Sequence, residues 1–228
     1  MTKKTLLTLA VASATACSSS FAATYFQDFT FPDGTTDFGD GSLLVSNAEG
    51  DPQVINNQLR LTDNTNSNVV AFHLPALANS SLGWTASFDY RIFDNTPNSP
   101  ADGFSFSYGS IPPGGLSAQA EEGWPGEGAA GSLLSFEVDT WDGPATEVGP
   151  AIGLDRPNPV PQGSLDPSSL AHLSGFPLAD DGDISGTVSI NYNGATGLLD
   201  FVTTGADTNA NFIGVDAGAA GFTGDDSY

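Results

Sequence analysis

The feature that most constrains the fold of this chain is how often turn-forming residues interrupt it. The 228 residues include 27 glycines and 15 prolines, and few long stretches are free of Gly, Pro, Asn, Asp or Ser. Because glycine and proline are the poorest residues for a helix interior, a helix bundle is excluded. Hydrophobic residues make up 39% of the chain and charged residues 14%, which leaves enough apolar side chain for a core.

Between the turns, apolar and polar residues alternate in short runs, the pattern of half-buried β-strands. An Asn-Gly pair at Asn193 and Gly194 predicts a hairpin, because both residues tolerate positive φ. No linker divides the chain, which is therefore predicted to be one all-β domain. The predicted strands are 24–29, 58–62, 68–74, 84–93, 104–108, 133–140, 151–154, 186–192 and 198–203.

The start of the chain has the composition of a secretory signal. Two lysines precede an apolar run at 6–16, and Ser-Phe-Ala then offers a small-x-small cleavage site. The apolar run is too short to span a bilayer. We therefore expect residues 1–22 to be a signal peptide and residues 23–228 to form a domain that is exported to the periplasm, the cell surface or the medium. The alternative is a lipid on Cys17, although the Leu that usually opens such a site is absent.

The exported part of the chain is strongly acidic. Removing the two lysines of the signal changes the formal net charge from −22 to −24. Nucleic acid and anionic membranes would be repelled by such a protein. The expected partners are neutral molecules such as sugars, or cations such as Ca²⁺. The alternative reading is that the acidic surface only keeps an exported protein soluble.

Three motifs in order resemble the concanavalin A-like fold and, within it, the legume-type (L-type) lectins. Pro-Ala-Asp-Gly-Phe-Ser-Phe at 100–106 resembles a lectin turn that leads into an apolar strand, and Glu-Val-Asp-Thr-Trp at 137–141 resembles the lectin strand Glu-x-Asp-Thr-aromatic. Ala-Ile-Gly-Leu-Asp at 151–155 resembles the strand that follows it. The resemblance covers roughly residues 26–201 and implies a jelly-roll sandwich of two antiparallel sheets.

The resemblance also implies which acidic residues bind ligands. In the family, the Asp of the first motif accepts hydrogen bonds from sugar hydroxyls, and this residue is Asp102 here. The acidic pair of the second motif binds a transition metal and Ca²⁺, and this pair is Glu137 and Asp139. Because residues two apart on a strand share a face, the pair can share a cation.

Further sugar contacts are expected from residues in loops. These are backbone amides near Gly114 and Gly115, and a ring of Trp141 or Trp124 that stacks on the sugar. Gly143 stands where the family has an Asn that binds both Ca²⁺ and sugar.

The chain departs from the family pattern at the metal site. Ala151 stands where the family has a metal-ligating His, so a transition metal is not expected. Ca²⁺ accepts mixed oxygen ligands in flexible geometry, so a Ca²⁺ site remains open, against the alternative of a solvated acidic loop. Its ligands would be Asp139, the Trp141 carbonyl, Asp142 and Glu147, with Glu137 beside them.

Lectins of this type end with a strand that carries a glycine-rich loop. The sequence stops where that strand would begin, so we expect either a fragment or a branch of the family that lacks it. Two stretches, 110–131 and 156–183, show no strand pattern and are predicted to be long loops. His73 on an apolar strand and His172 in the second loop are read as incidental, because two isolated histidines do not make a zinc site.

Two alternatives to a carbohydrate-binding domain remain open. Glycoside hydrolases of this fold use Glu-x-Asp-x-x-Glu, which Glu137 and Asp142 resemble, although a β-bulge would be needed to bring residue 142 to the face of residue 137. The other alternative is a structural extracellular sandwich without a sugar site.

Overall fold

A computed structural model describes residues 23–47, 51–63, 68–93, 103–109, 132–139, 151–155, 171–174, 183–205 and 210–216. Only the backbone is described for residues 93, 132–139, 151–155, 171–174, 183–184 and 210. The predicted signal peptide and most of the predicted loop residues lie outside these ranges.

Regular structure in the described ranges is almost entirely β. A single 3₁₀ turn is the exception, and none of these ranges contains a helix long and apolar enough to cross a membrane. In chain order the elements are β1 Leu43–Ser46, β2 Gln53–Ile55, β3 Gln58–Arg60, β4 Val70–His73, the 3₁₀ turn Ser80–Leu82, β5 Gly83–Phe93, β6 Gly103–Gly109, β7 Ser132–Asp139, β8 Ala151–Asp155, β9 Ala171–Ser174, β10 Asp183–Asn193, β11 Leu198–Gly205 and β12 Ala210–Asp216.

The described strands form two four-stranded antiparallel sheets and two small pairs. Sheet 1 has the order β12-β11-β10-β5, and sheet 2 has the order β6-β7-β8-β9. The small pairs are β1 with β4 and β2 with β3. In sheet 1, β5 and β10 pair along their full 11 residues.

The core lies between the two sheets, and the alternation in the sequence builds it. Val188, Ile190 and Tyr192 of β10 are buried, because every second residue of the strand faces inward. Rings from β5 and β6 pack against this row, and Phe88 stacks on Phe106 with ring centroids 5.5 Å apart. Since β5 belongs to sheet 1 and β6 to sheet 2, these aromatic contacts hold the sandwich together.

The predicted hairpin between β10 and β11 is confirmed, but its left-handed residue differs from the prediction. The amide of Gly197 donates to the carbonyl oxygen of Asn193 at 2.8 Å, and Gly197 has a φ of 70°. The side chain of Asn193 accepts from the amide of Ala195 at 3.0 Å. Asparagine therefore stabilises the turn through its side chain, and glycine supplies the positive φ four residues later.

The prediction of a strand at 24–29 is wrong. Within the described ranges this segment has no ladder partner, and Phe29 has a φ of 52°, which ends any extended run. Tyr25 and Phe29 pack instead into a small cluster with Phe38 and Phe72, and Phe29 contacts both of the latter rings at centroid distances of 5.6 Å. Contacts between half-buried rings hold this segment in place.

The prediction that 156–183 lacks a strand is also wrong. β9 occupies Ala171–Ser174 and is the last of the described strands of sheet 2. With four residues, the strand is too short to show a period. His172 therefore lies in a strand and not, as the sequence indicated, in a loop. The strands β1, β2 and β12 were not predicted either.

Candidate functional site

The two predicted ligand-binding motifs of the sequence lie next to each other at one end of sheet 2, where β6 begins and β7 ends. Of the predicted site residues, the structure describes the backbone of Glu137 and Asp139. Those that lie outside the described residues are Asp102, Gly114, Gly115, Trp141, Asp142, Gly143 and Glu147. The structure therefore shows the part of sheet 2 that would carry the site.

One row of the ladder connects the two predicted motifs. Asp139 lies opposite Gly103 of β6 on one side and Ala151 of β8 on the other. Gly103 follows Asp102 directly in the sequence. The first residue of β6, which follows the predicted sugar-binding residue, and the last residue of β7 therefore lie side by side. Both are at the same end of the strands of sheet 2.

Gly103 is required by its backbone conformation. Its φ is 135°, a value that residues with a side chain rarely adopt. The glycine of the Ala-Asp-Gly motif thus allows the chain to enter β6 in register with Asp139. This is a physical reason for that motif at this edge.

A second row runs parallel to the first, two residues further into the sheet. Glu137 lies opposite Ser105 of β6 and Gly153 of β8, and Gly153 lies opposite His172 of β9. Rows two residues apart belong to the same face of a sheet, so Glu137, Asp139 and His172 are on one face.

This face is the one turned away from the core. The row between the two acidic rows is apolar and contains Phe104, Val138, Ile152 and Leu173. Phe104 packs against the core cluster. Neighbouring rows alternate between faces, so the acidic rows fall on the outer face of sheet 2.

Among the described side chains, the strongest electrostatic perturbation is at Asp40, far along the chain from these motifs. One carboxylate oxygen accepts hydrogen bonds from the hydroxyl and the amide of Ser42, and the other accepts from Tyr25 at 3.0 Å and Gln27 at 2.9 Å. These bonds, those of the Ser42 hydroxyl above all, lower the pKa of Asp40 to about 2. With its oxygens occupied, Asp40 anchors the N-terminal segment and does not form a binding site.

Metal ligands are not clustered elsewhere in the part of the chain whose side chains are described. There, no three His, Cys, Asp or Glu residues form a group that could hold an ion. The Ca²⁺ ligands predicted after Asp139 lie outside the described residues. The structural feature that bears on this prediction is the end of β7, where Asp139 lies opposite Gly103.

Sequence comparisons and structure comparisons give different results. No family model and no curated protein matches the chain. Among solved structures, the metal-free lectin I-B4 from Griffonia simplicifolia matches with a TM-score of 0.50 and 17% identity over 79% of each chain. Winged bean acidic lectin in complex with methyl-α-D-galactose matches with a TM-score of 0.47 and 21% identity, over 74% of this chain and 72% of the lectin. The Ca²⁺- and mannose-bound lumenal domain of VIP36 matches with a TM-score of 0.45 and 17% identity, over 76% of this chain and 68% of the VIP36 domain.

The fold prediction is confirmed. The chain is a concanavalin A-like jelly-roll sandwich of two antiparallel sheets, the fold of the Griffonia lectin. At 17% identity this likeness concerns the fold.

Proposed function

We propose that this chain is an exported, Ca²⁺-dependent carbohydrate-binding domain of the lectin type. The observation that carries the proposal is the ladder row in which Gly103 lies opposite Asp139. It joins the strand that follows the sugar motif to the strand that ends in the cation motif. A lectin-type fold supports the same conclusion.

In this proposal, Asp102 accepts hydrogen bonds from sugar hydroxyls at the start of β6. Backbone amides near Gly114 and Gly115 donate to the sugar, and the ring of Trp141 stacks on its apolar face. Gly143 allows the loop to approach the ligand closely.

Ca²⁺ would order the loop after β7. Its ligands would be Asp139, the Trp141 carbonyl, Asp142 and Glu147, a set of oxygen donors of the kind that Ca²⁺ takes. Glu137 would add negative charge on the same face. The ion would position the loop for a neutral sugar, which suits a chain with a formal net charge of −22.

Export is part of the proposal. Residues 1–22 would be removed as a signal peptide, and residues 23–228 would form the mature domain outside the cytoplasm. The absence of cysteine after residue 22 means that the domain needs no disulfide in that compartment.

A glycan array with and without Ca²⁺ tests the proposal. We expect binding that a chelator abolishes and that Asp102→Asn reduces at least about tenfold, since a site built for sugar hydroxyls loses a charged acceptor. The matched control is Asp89→Asn, which makes the same charge change on β5 of sheet 1. Asp89 accepts a hydrogen bond from Thr187 at 2.6 Å, and an amide oxygen can still accept it.

Two other results would replace the proposal. A blank array with folded protein, in the presence of millimolar Ca²⁺, would indicate the structural sandwich. Release of reducing sugar from laminarin, agarose or xyloglucan that Glu137→Gln abolishes would indicate a hydrolase that uses Glu137 and Asp142.

A further inference from the structure

The Asn-Gly pair of the β10–β11 hairpin has a chemical reactivity that its role in the turn does not use. Of all the asparagines in the chain, Asn193 alone is followed by a glycine. In such a pair the main-chain nitrogen of the glycine can attack the asparagine amide, because the glycine has no side chain to obstruct the approach. Asparagine is accordingly among the thermolabile residues of proteins. Asn193 is exposed, so water reaches it.

The reaction at this pair needs water and no other reagent. After losing its proton, the nitrogen of Gly194 forms a bond to Cγ of Asn193, the bond between Cγ and Nδ2 breaks, and ammonia leaves. Water then opens the cyclic imide that has formed. Addition of water at Cγ gives aspartate. Addition at the main-chain carbonyl gives isoaspartate, in which the main chain runs through the former side chain.

In the folded hairpin, both reacting groups are engaged in other hydrogen bonds. The amide of Gly194 donates to the carbonyl oxygen of Leu82 at 3.2 Å, so the nitrogen retains the proton that it must lose. The side-chain oxygen of Asn193 accepts from the amides of Ala195 at 3.0 Å and Thr196 at 3.3 Å, which fixes the orientation of its amide group. The attack therefore requires that these hydrogen bonds break.

Packing also prevents rotation of the peptide between Asn193 and Gly194. The carbonyl carbon of Leu82 is 2.7 Å from the point where a Cβ on Gly194 would stand, so the glycine has no spare room on that side. The carbonyl oxygen of Asn193 accepts from the amide of Gly197 at 2.8 Å. The peptide is thus held at both ends and cannot turn while the hairpin is closed.

We propose that Asn193 is a deamidation site whose reaction is controlled by opening of the β10–β11 hairpin. A group that the folded state protects reacts during the fraction of time in which its segment is open. The rate of deamidation at Asn193 therefore follows local opening of the hairpin. The proposal concerns neither Ca²⁺ nor sugar, so the result of the glycan array does not bear on it.

The two products differ in their effect on the hairpin. Aspartate keeps a side-chain oxygen that accepts from the amide of Ala195, so the turn can close again. Isoaspartate lengthens the main chain by one carbon immediately before Gly194, which has no spare room. The turn cannot close around this product, so isoaspartate converts a transient opening into a lasting one and marks molecules that have opened.

Incubation at neutral pH in ¹⁸O-labelled water, followed by mass spectrometry of proteolytic peptides, tests the proposal. Each deamidation that occurs during the incubation adds one labelled oxygen to the modified residue. In urea, we expect Asn193 to be modified before any other asparagine. In the folded protein, its rate should be at least about tenfold lower than in urea. An equal rate in the two states would overturn the proposal, as would faster modification of another asparagine in urea.

Two glycine variants test whether the hairpin controls the rate. Gly197 has a φ of 70°, so Gly197→Ala strains the hairpin without changing the reacting pair. The matched control is Gly39→Ala, which places a side chain at a φ of 67° before β1, where the added Cβ meets nothing within 4 Å. We expect Gly197→Ala to raise the rate at Asn193 in folded protein at least about fivefold and Gly39→Ala to leave it unchanged.

Equal rates at Asn193 in these two variants would overturn control by the hairpin. Circular dichroism shows whether each variant folds. The comparison of folded and urea-unfolded protein uses the unaltered chain, so it decides the question if Gly197→Ala does not fold.

The fate of the products is tested by refolding. Protein that has been deamidated in urea and returned to buffer should contain an aspartate form with the Tm of the unaltered protein and an isoaspartate form with a lower Tm. Asn193→Asp is the control for the added charge and should melt with the aspartate form. An isoaspartate form that melts with Asn193→Asp would show that the hairpin tolerates the longer main chain, and would overturn the lasting opening.

Discussion

The hairpin between β10 and β11 should not tolerate a side chain at Gly194. Its turn lies against the 3₁₀ turn before β5, and the amide of Gly194 donates to the carbonyl oxygen of Leu82 at 3.2 Å. A Cβ at Gly194 would be 2.7 Å from the carbonyl carbon of Leu82 and 2.8 Å from its oxygen, and closer still to the carbonyl oxygen of Ser81. The backbone of Gly194 is not left-handed, so space and not conformation excludes the side chain.

The expected loss of stability follows from these contacts. All the opposing atoms belong to the backbone, so they cannot rotate away and the two turns must separate. Overpacking of this kind costs about 1–3 kcal/mol. Loss of the hydrogen bond to Leu82 adds about 0.5–1.5 kcal/mol. We therefore expect Gly194→Ala to lower the free energy of unfolding by about 3 kcal/mol, which is about 6–12 °C in Tm for a domain of this size.

Urea unfolding followed by circular dichroism, together with a thermal melt, measures this effect. The control is Gly39→Ala, where the added Cβ meets nothing within 4 Å but φ is 67°. The control should lose only about 1–2 kcal/mol, for the left-handed backbone. If Gly194→Ala loses no more unfolding free energy than Gly39→Ala, the two turns do not pack as closely as these contacts imply.

Two further predictions concern the core and the N-terminal segment. Phe201 is fully buried, so Phe201→Ala should lower the free energy of unfolding, measured in urea, by about 3–5 kcal/mol. The control is Phe26→Ala, at a ring that is 79% exposed, which should change it by no more than about 0.5 kcal/mol. Equal losses would contradict the assignment of the core. The pKa of Asp40 is about 2 in the folded protein against an ordinary 3.8, so its carboxylate stabilises the fold above about pH 4 and loses this effect as the pH falls towards 2. The Tm of Asp40→Asn should accordingly lie below that of the unaltered protein at pH 6, and the gap should narrow as the pH falls from 4 towards 2. A gap of constant size would exclude the titration of Asp40 as its cause.

The long strands of the sandwich could be predicted from the sequence because burial imposes a period on them. Val188, Ile190 and Tyr192 alternate with polar residues, and the structure places this row in the core. The prediction failed where burial acts without pairing. Phe29 is half-buried in an aromatic cluster with Phe38, so its segment looks like a strand in the sequence although it has no ladder among the described residues.

The candidate site was accessible from the sequence only in part. Glu137 and Asp139 are two apart on one strand, so their common face follows from local geometry. The position of His172 does not, because 35 residues separate it from Glu137 and β9 is too short to show a period. Its place beside Gly153 follows from a ladder register, which depends on how separate strands pair.

The order of turns and alternating runs was enough to determine an all-β chain with an acidic strand. These properties depend on interactions between residues a few positions apart, and the sequence displays them directly. Tertiary structure alone decided which strands are neighbours, and so that Gly103, Asp139 and Ala151 share one row and Glu137 and His172 another. The physical reason is that register is selected by the burial of a whole apolar face, here the row from Phe104 to Leu173, and no single segment carries that information.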